Sequence, residues 1–406
     1  MKKFNPGAYL SDLNVNVMHF GLEAVSGLLA RFGDPHSHYK TILVGGTNGK
    51  GSTAAMIASV LKRTGLKVGL YTSPHLVDVR ERIVINDKKI PLRKFAGILS
   101  EIRDQAPLPV TYFEVLTAAA FIYFLREQVD IAVLEVGLGG RLDATNICQP
   151  VVSVITNIGL EHTAYLGNTL TAIAGEKAGI IKPAGVCVTG VQQKKVVQTI
   201  SSVCRQRKSA FYRLGRDFKI IRRADHTADY RGMNRSISGL KLSLPGGHQW
   251  SNAALALAAL EIAQKCGFVI DDAAIRAGLK NTHWEARMEV ICTRPLFLLD
   301  GAHNPSGVRV LRRALIEDFP RRRLILIFAA LADKDYRKML QIIAPMAATI
   351  ILPPLKTERS VPARQMARVV ENLGGGAIVA RSGDQAVDMA LAMAGGKDVI
   401  CAMGAF

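Results

Sequence analysis

The sequence contains no apolar run of the roughly 18 to 20 residues that a membrane-spanning helix requires. No apolar core follows the two lysines of the N-terminal "MKKFNPGAYLSDLN", so no secretory signal is expected and the cytoplasm is the expected compartment. None of the six cysteines (Cys148, Cys187, Cys204, Cys266, Cys292, Cys401) forms a C-x-x-C pair. Neither a zinc site nor a disulfide framework is suggested, and buried thiols are the expectation. There is no internal repeat and no low-complexity segment. Acid is in deficit: 33 Asp and Glu stand against 52 Lys and Arg, a net charge of +19. Such a surface attracts anions, whether nucleic acid or small phosphates and polycarboxylates. The clusters Arg222-Arg223, Arg312-Arg313 and Arg321 to Arg323 have no interleaved aromatics, so they read as solvated, steering faces rather than a nucleic-acid groove.

What is present is alternation. Apolar runs such as "TILVGG", "KVGLYTS", "DIAVLEVG", "VVSVITNIG" and "VCVTGV" are separated by helical patterns such as "FEVLTAAAFIYFLREQ". Strands apolar on both faces, alternating with helices, predict a parallel sheet covered by helices. A second series follows, from "LFLLDGA" through "RLILIFAAL" and "TIILPP" to "DVICAMG". The expected fold class is therefore α/β, with a large N-terminal parallel-sheet domain over residues 1–285 and a smaller C-terminal, Rossmann-like α/β domain over 295–406. The hinge is expected at about 286–294. The polar stretch from Tyr212 to Leu244 reads as an antiparallel extension of the first domain. No long apolar seam suggests a dimer, so a monomer is expected.

Ile42 to Gly65, "ILVGGTNGKGSTAAMIASVLKRTG", runs from apolar strand through glycine-rich turn into amphipathic helix. Backbone N–H groups of such a turn converge on phosphate oxygens, and the helix adds its positive N-terminal end. The common spelling G-x-x-x-x-G-K-[ST] is broken, because Val44 stands where its first glycine belongs and Gly51 separates Lys50 from Ser52. Four glycines, a lysine and two hydroxyl residues between Gly45 and Ser52 still point to a nucleoside triphosphate. Lys50 would neutralise outer phosphates, and Ser52 or Thr53 would reach the phosphates or Mg²⁺.

"GTNGKGS" resembles the ATP loop of the Mur ligase family. Within it the chain is most similar to the folylpolyglutamate and dihydrofolate synthase branch, of bifunctional type. "YTSPHL", "ERI", "TYFE", "LEVGLGGRLDATN", "GEKAGIIK", "HQWSNAALALAAL" and "DGAHNPSG" carry the likeness along nearly the whole chain.

That resemblance implies an ATP-dependent ligase. It would join L-glutamate to dihydropteroate or reduced folates through an acyl phosphate. Its ATP loop would comprise Thr47, Asn48, Gly49, Lys50, Gly51 and Ser52, and the rest of the nucleotide would meet Asn252, Arg287, Asp300 and His303. Metal ligands would be Ser73, Glu135 and His162, with His162 counted beside Lys50 and Lys177 in the catalytic set. Two Mg²⁺ sites, a carbamate on Lys177 and a monovalent cation are further implications. The pterin-bearing acid would be held by Thr111, Tyr112, Phe113 and Glu114 and by Leu142, Asp143 and Ala144, with Val17 to Phe20 as an added lining. Phe113 would stack on the ring and Asp143 accept its N–H donors.

The chain departs from the family pattern in places. Before His162 the family has aspartate, and here stands Glu161. Before Arg287 it has Pro-Gly, and here stand Glu285 and Ala286. The chain ends at Phe406, earlier than the pattern leads one to expect. Two rival readings follow: a cell-wall Mur ligase, for whose extra N-terminal domain the early loop leaves no room, and a degenerate paralogue acting as a basic ATP- or nucleic-acid-binding protein.

Overall fold

A computed structural model describes residues 4–13 and 21–404, so Val17 to Phe20 lie outside the described residues. Contacts divide the chain into two units, one of residues 1–242 and 250–282 and the other of residues 243–249 and 283–406.

The first unit is built on an eight-stranded sheet: β1 (Lys40–Gly45), β2 (Val68–Tyr71), β3 (Ile83–Ile85), β4 (Lys88–Lys89), β5 (Ile131–Glu135), β6 (Val152–Ile155), β7 (Val186–Thr189) and β8 (Ala210–Arg213). Their spatial order is β4-β3-β2-β5-β1-β6-β7-β8. From β2 to β8 the neighbours pair in parallel, and β3 and β4 add an antiparallel hairpin at one edge. β5 and β6 are buried at every position, as their unbroken apolar spelling requires. In this order the carboxyl ends of β2, β5, β1 and β6 lie side by side, where open α/β sheets bind ligands.

The stretch read as an antiparallel extension divides in two. β8 is the outermost parallel strand of the large sheet. β9 (Lys219–Arg222), β10 (Ala228–Arg231) and β11 (Ser236–Leu240) form a separate three-stranded antiparallel sheet. Buried Glu261, on the Gln249–Gln264 helix, anchors it by accepting from Tyr230 Oη (2.7 Å) and from the Asn234 N–H (2.7 Å).

The second unit holds β12 (Glu289–Thr293), β13 (Leu296–Asp300), β14 (Leu324–Ala329), β15 (Ala347–Leu352), β16 (Ala377–Val379) and β17 (Val399–Gly404), ordered β12-β13-β17-β14-β15-β16. Only β12 pairs antiparallel. Alternation along β14 feeds two cores: Leu324, Leu326 and Phe328 join one, Ile325 and Ile327 the other.

Four cysteines are buried as expected, but Cys266 and Cys292 are exposed. Among the described residues no helix is long and apolar enough to cross a membrane.

Candidate functional site

After β1 the chain turns through Gly46, Thr47, Asn48 and Gly49 into the Lys50–Arg63 helix. Gly46 has φ +135° and Gly49 φ +83°, conformations that side chains disfavour. Space is also absent: a Cβ would fall 1.9 Å from Thr156 Oγ1 at Gly46 and 2.4 Å from Asn252 Oδ1 at Gly49. The turn is braced by the segment after β6. The Thr47 N–H donates to Asn157 O (2.9 Å) and the Asn48 N–H to Asn157 Oδ1 (2.9 Å). Thr156 Oγ1 and Asn157 Nδ2 donate to Asn48 O (2.7 and 3.0 Å). Lys50 Nζ lies 3.3 Å from Thr47 O.

Gly51, Ser52 and Thr53 follow in the first helical turn, all buried. That turn carries N–H groups without intrahelical acceptors and a partial positive charge. Thr53 Oγ1 is buried with no protein hydrogen bond. A hydroxyl so stranded costs about 1–3 kcal/mol unless a bound group meets it. The arrangement suits an anion with several oxygens.

Lys177 meets the same loop from the other side. It sits in the last turn of the Leu170–Ala178 helix, whose start Thr169 caps by accepting from the Ala172 N–H. Its Nζ is 2.7 Å from Glu161 Oε1 and donates to Gly46 O at 2.9 Å. Side-chain exposure is 2% for Lys177 and 11% for Glu161, so solvent screens this pair little. Burial pulls the Lys177 ammonium down from its usual range, and Glu161 works against that pull. Burial pushes Glu161 up, but Lys50 and Lys177 outweigh it and hold the carboxyl below the usual range. The short contact is that of an ammonium on a carboxylate. His162 follows Glu161 at φ +46° and precedes the short Thr163–Leu166 helix.

Ser73 and Glu135 are brought together at the ends of β2 and β5, where the Ser73 N–H donates to Glu135 Oε2 at 3.0 Å. Glu135 stands opposite Val44 in the register, one strand from the loop. Among the described residues no three His, Cys, Asp or Glu side chains cluster as a metal cage. This fits Mg²⁺, which takes one or two protein carboxylates or hydroxyls and completes its shell with water and phosphate.

The residues of "TYFE" divide by task. Thr111 and Glu114 form a capping box that starts the Tyr112–Arg126 helix: the Thr111 N–H donates to Glu114 Oε2 (2.7 Å) and the Glu114 N–H to Thr111 Oγ1 (3.3 Å). Tyr112 lies under the Arg82 guanidinium at 5.6 Å. The Phe113 ring lies 6.1 Å from that of Tyr71, and a Cβ at Gly137 would strike it at 2.5 Å. The same Cβ would come 3.2 Å from Asp143 Oδ2, so Phe113 and Asp143 border one place. Asp143 is buried, and burial pushes its carboxyl up against donors from Thr145, Leu138 and Gly137. Those donors engage both oxygens. Leu142 and Ala144 flank it in the chain, half-buried and buried respectively.

In the second unit, Asp300 ends β13 and holds the preceding loop. The Met288 N–H donates to Oδ2 and the Ala302 N–H to Oδ1, both at 2.9 Å. Burial pushes this carboxyl up, against Arg287 and those two N–H groups. His303 Nδ1 lies 2.8 Å from Gly301 O. Ala286 is buried at φ +50°, where the family pattern has glycine. A left-handed alanine costs about 1–2 kcal/mol, offset in part by the extra unfolded-state freedom of glycine. Ala286→Gly should therefore raise the unfolding free energy by about 0.5–1 kcal/mol. Chemical denaturation checks this, and a lower midpoint at unchanged slope counts against the strain.

His248, in the same unit, is pushed down to about 4 by burial and then by Arg287. The native state refuses a proton that the unfolded chain accepts at its ordinary histidine pKa of about 6.5. Stability should therefore fall as pH drops below about 6.5 and keep falling to about 4. In His248→Gln that slope should flatten, and an unchanged slope assigns it to other groups.

Sequence reasoning missed His248, although it opens the quoted "HQWSNAALALAAL", and missed Thr156 and Asn157 as braces. For those two the signal was present: "TN" directly after an apolar strand, at the carboxyl edge of the sheet.

Comparison with known proteins adds to this geometry. Residues 44–260 match the Mur ligase middle domain and residues 286–406 the Mur ligase glutamate ligase domain. A folylpolyglutamate synthase of Lacticaseibacillus casei is 39% identical over 349 residues, which span 82% of this chain and 81% of that protein. Among solved structures, Escherichia coli FolC in complex with DHPP and ADP is similar at a TM-score of 0.91 and 32% identity, over 98% of this chain and 93% of that one. A bifunctional folylpolyglutamate synthase/dihydrofolate synthase with Mn, AMPPNP and L-glutamate bound is similar at a TM-score of 0.89 and 30% identity, over 98% and 95%.

Proposed function

The chain belongs to the Mur ligase family, among its folylpolyglutamate and dihydrofolate synthases, and from that premise we infer that it joins L-glutamate to dihydropteroate, to folylglutamates or to both at the expense of ATP. The observation that carries this reading is the braced Gly46–Gly49 turn, with Lys50 and the buried Thr53 hydroxyl at the start of the following helix.

A carboxylate is anionic and resists attack by an amine. One of its oxygens first attacks the γ-phosphorus of ATP, and ADP departs. The glutamate amine then attacks the carbonyl carbon of the acyl phosphate, losing a proton as phosphate leaves with the C–O bonding pair. The protein's share is positioning and charge neutralisation. The loop N–H groups and Lys50 hold the phosphates. Asn252, packed against Gly49, is the nucleotide-recognition residue proposed beside that loop, while Arg287, Asp300 and His303 take that role on the family resemblance alone. Phe113 offers a face to the flat ring of the acid. Asp143 accepts a ring N–H only by sharing oxygens its own backbone already uses, so its first task is to shape the 137–145 turn. Ser73, Glu135 and His162 would hold Mg²⁺, which would neutralise phosphate charge when bound.

The degenerate-paralogue reading has nothing in the geometry to favour it: the loop is intact and fully braced. The deciding experiment incubates the protein with ATP, Mg²⁺ and L-glutamate and adds dihydropteroate or a tetrahydrofolate in turn, with products identified by mass. A glutamate adduct on either acceptor supports the reading. A folded protein that binds ATP but yields neither adduct contradicts it.

A further inference from the structure

We propose that Arg82 is the carboxylate receptor of the acceptor site: the two Nη groups of its guanidinium grip the anionic end of the acid to which glutamate is added. Arg82 ends the short 3₁₀ turn Val79–Arg82 and is only 9% exposed. Its partners among the described residues are two rings. His75 Nδ1 accepts from Arg82 Nε at 2.9 Å, and Cζ lies over Tyr112, 5.6 Å from the ring centroid. Neither is an anion, and among the described residues the Nη groups have no hydrogen bond. The acids nearest in the chain are engaged elsewhere. Asp78 accepts from Arg80 at 2.6 Å, and Glu81 accepts from the Leu76 and Asp78 N–H groups and from Lys89, at 2.8, 2.9 and 3.1 Å. A cation enclosed without a counter-charge is costly, and a bound anion removes that cost.

Its place decides which anion. Arg82 and Asp143 act with opposite sign on the buried Tyr71 hydroxyl, and the Tyr71 ring lies 6.1 Å from that of Phe113. Phe113 and Asp143 border the place read as the acid's. In the other direction, the Thr72 N–H donates to Arg82 O at 3.1 Å, one residue before Ser73. Arg82 therefore adjoins both the ring's place and the strand ends where phosphoryl transfer is read. A planar fork matches the two oxygens of a carboxylate, and the Tyr112 face holds its plane. The acceptors offer that group in two positions: dihydropteroate carries only the carboxylate that reacts, and a folylglutamate also carries an α-carboxylate. The inference rests on the ligase reading for the identity of the acid.

The test is isothermal titration of the full-length protein with dihydropteroate and with a tetrahydrofolate, in Mg²⁺ and a non-hydrolysable ATP analogue. Arg82→Met should bind one or both acids about ten- to hundredfold more weakly. It should bind the analogue as tightly as wild type and unfold in urea no earlier, because an unpaired buried cation has given way to an apolar chain. Arg82→Lys keeps the charge without the fork and should recover only part of the affinity. Weakening of both acids assigns the fork to the reacting carboxylate, and weakening of the tetrahydrofolate alone assigns it to the α-carboxylate. Wild type should bind the corresponding carboxamides as weakly as Arg82→Met binds the acids, which tests the fork without any variant having to fold. Native affinity of Arg82→Met for both acids, or of wild type for the amides, overturns the proposal. So does a loss of acid affinity that comes with equal losses of nucleotide affinity and stability, which marks a structural role. A wild type that binds neither acid overturns the ligase reading as well, so the two failures are told apart.

Discussion

Lys50→Ala should lower glutamate-dependent ADP release by about a hundred- to a thousandfold, the usual loss when one preorganised stabiliser of transition-state charge is removed. Phosphoryl transfer spreads negative charge over the γ-phosphate oxygens, and Lys50 is the cation that the loop itself presents. In the free protein its hydrogen bond among the described residues is a long one, 3.3 Å to Thr47 O. The fold loses one of the two cations that steady the largely buried Glu161, so the unfolding free energy should fall by about 0.5–2 kcal/mol, far less than the loss in rate implies. Lys50→Arg should not restore the rate, because a planar fork does not replace a compact ammonium. Steady-state kinetics with a melting curve separates the outcomes. Near-normal turnover from Lys50→Ala removes the loop lysine from the mechanism.

Gly46→Ala should have an effect of comparable size by a different route. The new Cβ meets Thr156 Oγ1 at 1.9 Å, and the Thr156 N–H lies 3.0 Å away, so rotating the hydroxyl gives only partial relief. Thr156 Oγ1 also donates to Asn48 O, so displacing it loosens the brace of the loop. Backbone strain at φ +135° adds about 1–3 kcal/mol. The variant should lose about 2–4 kcal/mol of stability. ATP affinity should fall by at least tenfold, through loop geometry alone. Isothermal titration with ATP and Mg²⁺, beside urea unfolding, reads both. Native affinity and stability together would show that the turn has more room than the structure gives it.

The parallel sheets were legible because their strands are buried on both faces and spelled in unbroken apolar residues, as in "DIAVLE". β8 and the sheet of β9 to β11 were not separable. β8 is fully buried at no position, and β9 is mostly exposed, so neither carries a period that assigns it to a sheet. The phosphate turn was legible from its glycines, which the structure explains by positive φ and by the crowding of Thr156 and Asn252. Its brace was not, because Thr156 and Asn157 come from the segment after β6, more than a hundred residues later. The helix that carries "GEKAG" starts at the Thr169 cap, so Lys177 falls in its last turn. The departure at Glu161 was visible in the sequence. Its consequence was not, since the partner is set by how the Leu170–Ala178 helix meets the loop. "TYFE" carried a structural message in the helix cap formed by Thr111 and Glu114, beside the ring positions of Tyr112 and Phe113.

The most direct measurement follows the oxygen atoms. The acceptor acid is prepared with ¹⁸O in the reacting carboxylate and turned over with ATP, Mg²⁺ and L-glutamate, and the released phosphate is weighed. If the carboxylate attacks the γ-phosphate and the amine then displaces that phosphate, one labelled oxygen passes from each acceptor molecule into phosphate, and the adduct keeps the other. Phosphate released without the label would mean that ATP is hydrolysed by water, and that no acyl phosphate links its cleavage to the new amide bond.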